Sequence, residues 1–207
     1  MYHEVLVVGP FEVNCYLVAS DPSQTVVLVD PGADADRIMA AVERSGRALE
    51  AILLTHGHVD HVGAVASVRR RWSVPVYIHP ADAVWAFSDV NTIPPWYPIP
   101  DPVDARDQRH VLDGDEFELA GLRWKVIATP GHTPGGVCYH VPSEDCLWTG
   151  DTLFHGSVGR TDLPGGHPQQ LQLSLRRLLD LPTSTRIFPG HGPVTSLDVE
   201  RRINPFL

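Results

Sequence analysis

A surplus of basic residues is missing from this chain. Sixteen Lys and Arg face 25 Asp and Glu, a formal net charge of −9. A sequence-independent nucleic-acid binder needs a basic face, so no nucleic-acid partner is expected. Cysteine is sparse too. Cys15, Cys138 and Cys146 are odd in number and irregular in spacing, so they form neither a disulfide framework nor a C-x-x-C zinc motif. Reduced, mostly buried thiols are expected. No apolar run approaches the ~20 residues needed to span a membrane, and no membrane partner is expected. The start, M-Y-H-E-V-L-V-V-G, is acidic and lacks the apolar stretch of a secretory signal. The cytoplasm is the expected compartment. No linker divides the 207 residues, and 43% hydrophobic content supplies ample core, so residues 1–207 are expected to form one domain.

Histidine and aspartate, by contrast, are concentrated. Residues 55–61 read T-H-G-H-V-D-H, placing His56, His58, Asp60 and His61 within six positions. The preceding Ala51–Leu54 is short and apolar, as a buried strand is, and residues 62–72 have helical spacing. The cluster therefore sits at a strand-to-helix junction, where a rigid scaffold can present functional groups. Crowding three imidazoles and a carboxylate there has no evident folding advantage.

The rest of the chain repeats the theme. Strands are expected at 4–8, 13–19, 25–29 and 75–79. Hairpins are expected at 117–128, turning at Ala120-Gly121, and at 137–148. The last strand is 186–188. Helices are expected from Asp34 to a glycine stop at Gly46, over 81–87, and from Pro168, where proline suits the first turn. Arg69-Arg70-Arg71 end the helix after the cluster. Cations there complement the helix dipole, and three adjacent residues cannot share one face. Residues 88–110 contain Pro94, Pro95, Pro98, Pro100 and Pro102, too many for helix or central strand. A long irregular segment of this kind is expected to border the site, with Trp96 and Tyr97 as candidate substrate contacts.

Four strands end in loops reading T-H-G-H, T-P-G-H, T-G-D and P-G-H. If those ends converge, His56, His58, Asp60, His61, His132, Asp151 and His191 share one site. Glycines at 57, 131, 150 and 190 would let the loops turn beside them. Imidazole with carboxylate and no thiolate suits zinc, iron, manganese or nickel in a non-structural site. Seven ligands exceed one tetrahedral ion but fit two divalent ions sharing a carboxylate. Two such ions would offset four of the nine negative charges.

These motifs, with G-S-V-G-R-T-D-L-P-G-G, P-G-H-G-P-V-T-S and the ending E-R-R-I-N-P-F-L, resemble the metallo-β-lactamase-fold hydrolases. Within them the chain most resembles the small bacterial glyoxalase II-like (hydroxyacylglutathione hydrolase) type. The resemblance implies an α+β fold, a four-layer αββα sandwich with the site along one sheet edge. It implies that His56, His58 and His132 hold one ion and that Asp60, His61 and His191 hold the other. Asp151 would bridge them. Zinc is the expected metal, with iron or manganese as alternatives. The implied reaction is hydrolysis of a small-molecule thioester, such as lactoylglutathione, by metal-activated water. Asp60 and Asp151 are the candidate catalytic residues, and Asp60 is a candidate for handling the water proton. Longer glyoxalase II enzymes carry basic residues for glutathione on a C-terminal extension. Those contacts have no counterpart here, so the thiol carrier stays open.

Arg160 and Asp162 admit two readings, a contact to a substrate carboxylate or a buried ion pair shaping its loop. The second is preferred. His3, His79, His110, His140, His155 and His167 are expected to be surface or satisfied core residues, although His155 follows the Asp151 strand and His79, at a strand end, could stand behind a ligand. A persulfide dioxygenase would use one iron with two histidines and a carboxylate, but the ending P-G-H-G-P departs from that family's pattern. A β-lactamase is not expected, since secretory signal and ligand cysteine are both lacking. A non-catalytic metal binder would not need the full ligand set.

Overall fold

The computed structural model describes all 207 residues. The first sheet contains β1 (Tyr2–Val8), β2 (Val13–Ala19), β3 (Thr25–Val29), β4 (Ala48–Leu53), β5 (Val76–Ile78) and β6 (Gln108–His110), side by side in that order. Pairing is antiparallel from β1 to β3 and parallel from β3 to β6. The second sheet uses β7 (Glu116–Leu119), β8 (Leu122–Ala128), β9 (Val137–Val141), β10 (Cys146–Gly150), β13 (Arg186–Pro189) and β14 (Thr195–Ser196). Its spatial order is β14-β13-β10-β9-β8-β7, with β10 and β13 parallel. Two short strands, β11 (Leu153–Phe154) and β12 (Ser157–Val158), pair with each other.

Burial explains the layering. β2, β9 and β10 are buried at every position, as strands packed on both faces must be. Between the sheets, Trp148 stacks on Phe188 at 5.0 Å, Trp124 leans on Trp148, and Tyr16 meets Phe188 edge-on. Tyr139 sends its hydroxyl across to the Leu54 carbonyl at 3.0 Å. Helices α1 (Ala35–Arg44) and α3 (Val65–Arg71) place Ile38, Ala41, Val42, Val65 and Val68 in the core of the first sheet. Helix α5 (Pro168–Leu178) packs Leu171, Leu175 and Leu178 with Ile127, Leu147 and Ile187 of the second. The result is the expected αββα sandwich.

Several elements depart from the sequence expectations. The helix after the cluster is two pieces, α2 (Val59–Val62) and α3, parted at Gly63-Ala64. A Cβ at Gly63 would lie 2.5 Å from the Gly32 carbonyl oxygen, and the Ala64 N–H donates to Pro31 rather than within a continuous helix. The segment expected to be irregular throughout contains β6. Strands β11, β12 and β14 and helix α6 (Leu197–Ile203) lie where no element was expected. The expected helix at 81–87 contracts to α4 (Pro80–Ala83). The arginine run does diverge: Arg69, Arg70 and Arg71 pair with Asp107, Asp101 and Glu43.

Candidate metal centre

The strand ends after β3, β4, β8, β10 and β13 meet along one edge of the sandwich and bring all seven candidate ligands together. Three groups of donor atoms, each within 4.8 Å, result: His56–His58–His132, His56–His61–Asp151 and Asp60–His61–His191. His56 and His61 belong to two groups each, so the three merge into one centre. His58 Nδ1 lies 2.9 Å from His132 Nε2. Asp151 reaches His61 Nε2 at 3.3 Å through one oxygen and His132 Nε2 at 3.4 Å through the other. Asp60 lies 3.5 Å from His191 Nε2.

The rings are aimed by what lies behind them. His132 donates from Nδ1 to the Arg160 carbonyl at 2.7 Å, and His191 donates to the Phe11 carbonyl at 2.9 Å. His61 donates to Asp30 Oδ2 at 3.0 Å. The Thr55 hydroxyl donates to the same Asp30 oxygen at 2.6 Å, which leaves it free to accept from His56 Nδ1 at 3.1 Å. Hydrogen bonds at Nδ1 fix the tautomer and turn the Nε2 lone pair toward the centre. His58 alone presents Nδ1.

The donor set passes the test for divalent cations. His56 Nε2, His61 Nε2 and Asp151 Oδ1 are buried without a hydrogen-bond partner, a condition costing about 1–3 kcal/mol per group. Bonds of about 2.0–2.1 Å to a tetrahedral ion put neighbouring donors about 3.3 Å apart, inside the 2.9–3.5 Å seen here. Protonation tells the same story. Burial, then the neighbouring imidazoles, hold His56 well below the usual histidine range and His58 down at about 4. Burial pushes Asp60 and Asp151 upward, but the surrounding histidines outweigh it and keep both ionised. Burial likewise opposes charge on His61 and His191, yet the carboxylates raise both, His61 strongly. The carboxylates thus gather positive charge wherever they can.

Two backbone features let the loops approach. Gly150 has φ +47°, and a Cβ there would sit 2.2 Å from Thr55 Oγ1. A Cβ at Gly190 would stand 2.4 Å from Asp151 Oδ1 and 2.7 Å from His61 Cε1, inside the centre itself. Two further ties are made by residues that sequence reading missed. Asp82, fully buried on α4, accepts from the Gly57 N–H at 2.9 Å, the Thr133 hydroxyl at 2.7 Å and the Gly135 N–H at 2.7 Å. It therefore pins the His56–His58 loop to the His132 loop. Asn14 donates to the Pro189 and Gly192 carbonyls, and the Tyr16 hydroxyl donates to Pro189, which fixes the His191 loop. Asp30 had a faint signal, an aspartate at a strand end within D-P-G. Asp82, in a four-residue helix, had none.

The candidate substrate residues separate. Arg160 does pair with Asp162, through two contacts of 2.7 Å, but the pair is exposed rather than buried. Its side chain also lines a cleft of about 570 Å³ that has His58 in its wall. Trp96 and Tyr97 lie elsewhere, on a depression of about 350 Å³ beside Gly9, Ala33 and Val59. Tyr97 is buried, with its ring edge-on to Phe11 at 5.3 Å. From the proline-rich segment it is Val90–Ile93 that reach the cleft. His79 caps α4, and His155 pairs with Glu200, so neither is aimed at the centre.

The sequence profile of the Metallo-beta-lactamase superfamily matches residues 8–191. The hydroxyacylglutathione hydrolase GloC of Haemophilus influenzae is 33% identical over 207 residues, covering 99% of this chain and 97% of its own. Among solved structures, the BLEG-1 B3 metallo-beta-lactamase superposes with a TM-score of 0.91 at 36% identity, covering 100% of this chain and 99% of that one. TTHA1623, solved in a di-iron-bound form, superposes with a TM-score of 0.88 at 42% identity, covering 99% and 100%. With its profile spanning most of the chain and relatives matched end to end, this protein belongs to the metallo-beta-lactamase superfamily.

Proposed function

We propose that the chain is a two-metal hydrolase acting on thioesters of small acyl or hydroxyacyl groups. The observation that carries this reading is Asp151, whose two oxygens face His61 and His132 at 3.3 and 3.4 Å. That places one carboxylate between an imidazole trio, His56, His58 and His132, and a second set, Asp60, His61 and His191. A one-ion site of two histidines and a carboxylate leaves that second set without a purpose. Zinc suits the donors, as do iron and manganese. Bound there, divalent cations would polarise the scissile carbonyl and lower the pKa of a water toward about 7.

The chain's own residues do the rest. His56, His61, His132 and His191 hold their lone pairs in place through the Nδ1 bonds. Asp60, buried and ionised, can take a proton from the attacking water while His191 steadies its carboxylate. Water adds at the carbonyl carbon, the C–S bond breaks, and a carboxylate, a thiol and one proton result. A thiol with pKa near ~8.5 departs as thiolate without a strong general acid. The similarity to a hydroxyacylglutathione hydrolase supports the thioester class. The similarity to BLEG-1 supports a second reading, in which the bond cleaved is the amide of a β-lactam.

Purified protein, assayed for metal and given lactoyl and acetyl thioesters, a chromogenic cephalosporin and glutathione persulfide, tests these readings. Thioester turnover that a chelator abolishes and metal restores is the expected result. Lactam turnover alone selects the second reading. One iron with oxygen uptake on persulfide overturns both.

A further inference from the structure

The cleft beside the metal centre bears on which thioester fits. It measures about 570 Å³, within the usual range for small-molecule sites. His58 forms part of its wall, with the Trp85 ring 5.5 Å from the His58 ring. A group attached to the scissile carbonyl would leave the centre along this side.

Most hydrogen-bonding side chains of the cleft already have protein partners. Asn91 donates both amide hydrogens inward, to the Gly57 and Ala86 carbonyls at 2.8 and 2.6 Å. The Thr92 hydroxyl donates to the Tyr97 carbonyl at 2.9 Å. Arg160 is the single Lys or Arg of the lining, and its guanidinium is already bidentate to Asp162. Apart from the Asn91 carbonyl oxygen and the Trp85 indole N–H, the lining left to meet a ligand is apolar: the Trp85 ring, Val90, Ile93, Pro134 and Leu163.

We infer that this cleft selects thioesters carrying a neutral alkyl or aryl substituent and discriminates against carriers with several charges. The inference rests on the thioester reading above and deepens it. A tripeptide thiol brings two carboxylates and an ammonium, and a nucleotide thiol brings phosphates. Each charge taken into the cleft would lose water without gaining a free charged partner. An alkyl or aryl group loses nothing and covers the apolar walls. The substituent can stand on either side of the C–S bond, on the acyl group or on the thiol, and the two sources share this chemistry.

The test is a matrix of thioesters given to metal-loaded protein. Acyl groups from acetyl to hexanoyl are combined with glutathione, with a short neutral alkyl thiol and with thiophenol. Specificity constants should rise about fourfold per added methylene along the acyl series, the thiol series or both, which locates the substituent. With the acyl group held constant, the neutral thiol ester should surpass the glutathione ester at least tenfold. Trp85→Ala should flatten the rise to under twofold per methylene. Val90→Arg, at a rim position 74% exposed, should narrow the gap against glutathione. A glutathione ester preferred tenfold, with no gain along either series, overturns the inference.

Binding of the free thiols and short carboxylic acids, followed by calorimetry, reads the cleft without turnover. If no thioester is hydrolysed, the thioester reading fails. Tighter binding of neutral apolar ligands than of glutathione, lost in Trp85→Ala, would still uphold the selectivity of the cleft. Tighter binding of glutathione would overturn that as well.

Discussion

His56, His58 and His132 meet as three imidazoles held from behind by a hydroxyl and a carbonyl. Asp60, His61 and His191 meet beside Asp151, with Asp30 behind them. The first half repels protons: burial and mutual repulsion keep His56 and His58 neutral. The second half attracts them, and His61 and His191 are both raised. Two buried carboxylates anchor the centre and work differently, Asp30 also reaching His56 through the Thr55 hydroxyl. Asp30 touches a ligand ring directly. Asp82 touches only the loops that carry the ligands. Neutral imidazoles and clustered carboxylates thus divide one centre into a half defined by shape and a half defined by charge.

That division is open to attack where the halves join. Asp151→Ala removes the shared carboxylate, and activity should fall at least ~10³-fold, about 4 kcal/mol, with both ions lost together in elemental analysis. Retention of both ions would show that Asp151 does not join the halves. Asp30→Asn should act most on the charged half, weakening its metal affinity by about 10–100-fold, with a smaller loss at the imidazole half through Thr55 and His56; equal loss at both sites would erase the distinction. Asp82→Asn should act through shape. One of its three donors would face an amide N–H, for a loss of about 1–3 kcal/mol in denaturant unfolding, and metal affinity should drop first at the imidazole half. Calorimetry at pH 7 in buffers of different ionisation enthalpy gives a finer reading. Filling the charged half should release more protons, from the raised His61 and His191, than filling the half where His56 and His58 are already neutral.

The smallest effect concerns Glu200. This buried carboxylate accepts from the Thr195 hydroxyl, the Gly156 N–H and the Asn204 amide. It thereby holds the β11–β12 hairpin that leads to Arg160, whose carbonyl orients His132. Burial pushes Glu200 upward, but these hydrogen bonds outweigh it and the carboxyl lies below its ordinary 4.5. A depressed folded-state value means stability present above about pH 4.5 and lost as the pH falls through the folded value. Thermal melts of Glu200→Gln should lose that acid-side slope, and an unchanged slope would assign it to other carboxylates.

The convergence of the seven candidate ligands was legible because each stands in a short glycine-bearing run at the end of an apolar strand, and strands announce themselves through local pattern. Their supports were not. Asp82 lies 51 positions from Thr133, and nothing local to P-A-D-A marks it as a clamp. The helix after the cluster is interrupted where the Ala64 N–H donates to Pro31, far away in sequence; its periodicity alone favours continuity. Helix α6 is short, and its Glu200 is tied to Gly156, 44 positions away. Trp96 and Tyr97 were chosen because aromatics beside prolines suggest a binding loop, yet the chain turns Val90–Ile93 to the cleft and tucks Tyr97 beneath the β1–β2 turn.

The ties from Asn14 and Tyr16 to the last ligand loop span 173 to 178 positions. Closing so long a loop is entropically slow, and local helices and hairpins form well before it. A chain still emerging from the ribosome can bring His56, His58 and His132 together once β8 has been made. The other half must wait for His191 to meet the opening hairpin. Full loading with metal is therefore an act of the finished polypeptide, and a bound second ion certifies that both ends of the chain have found each other.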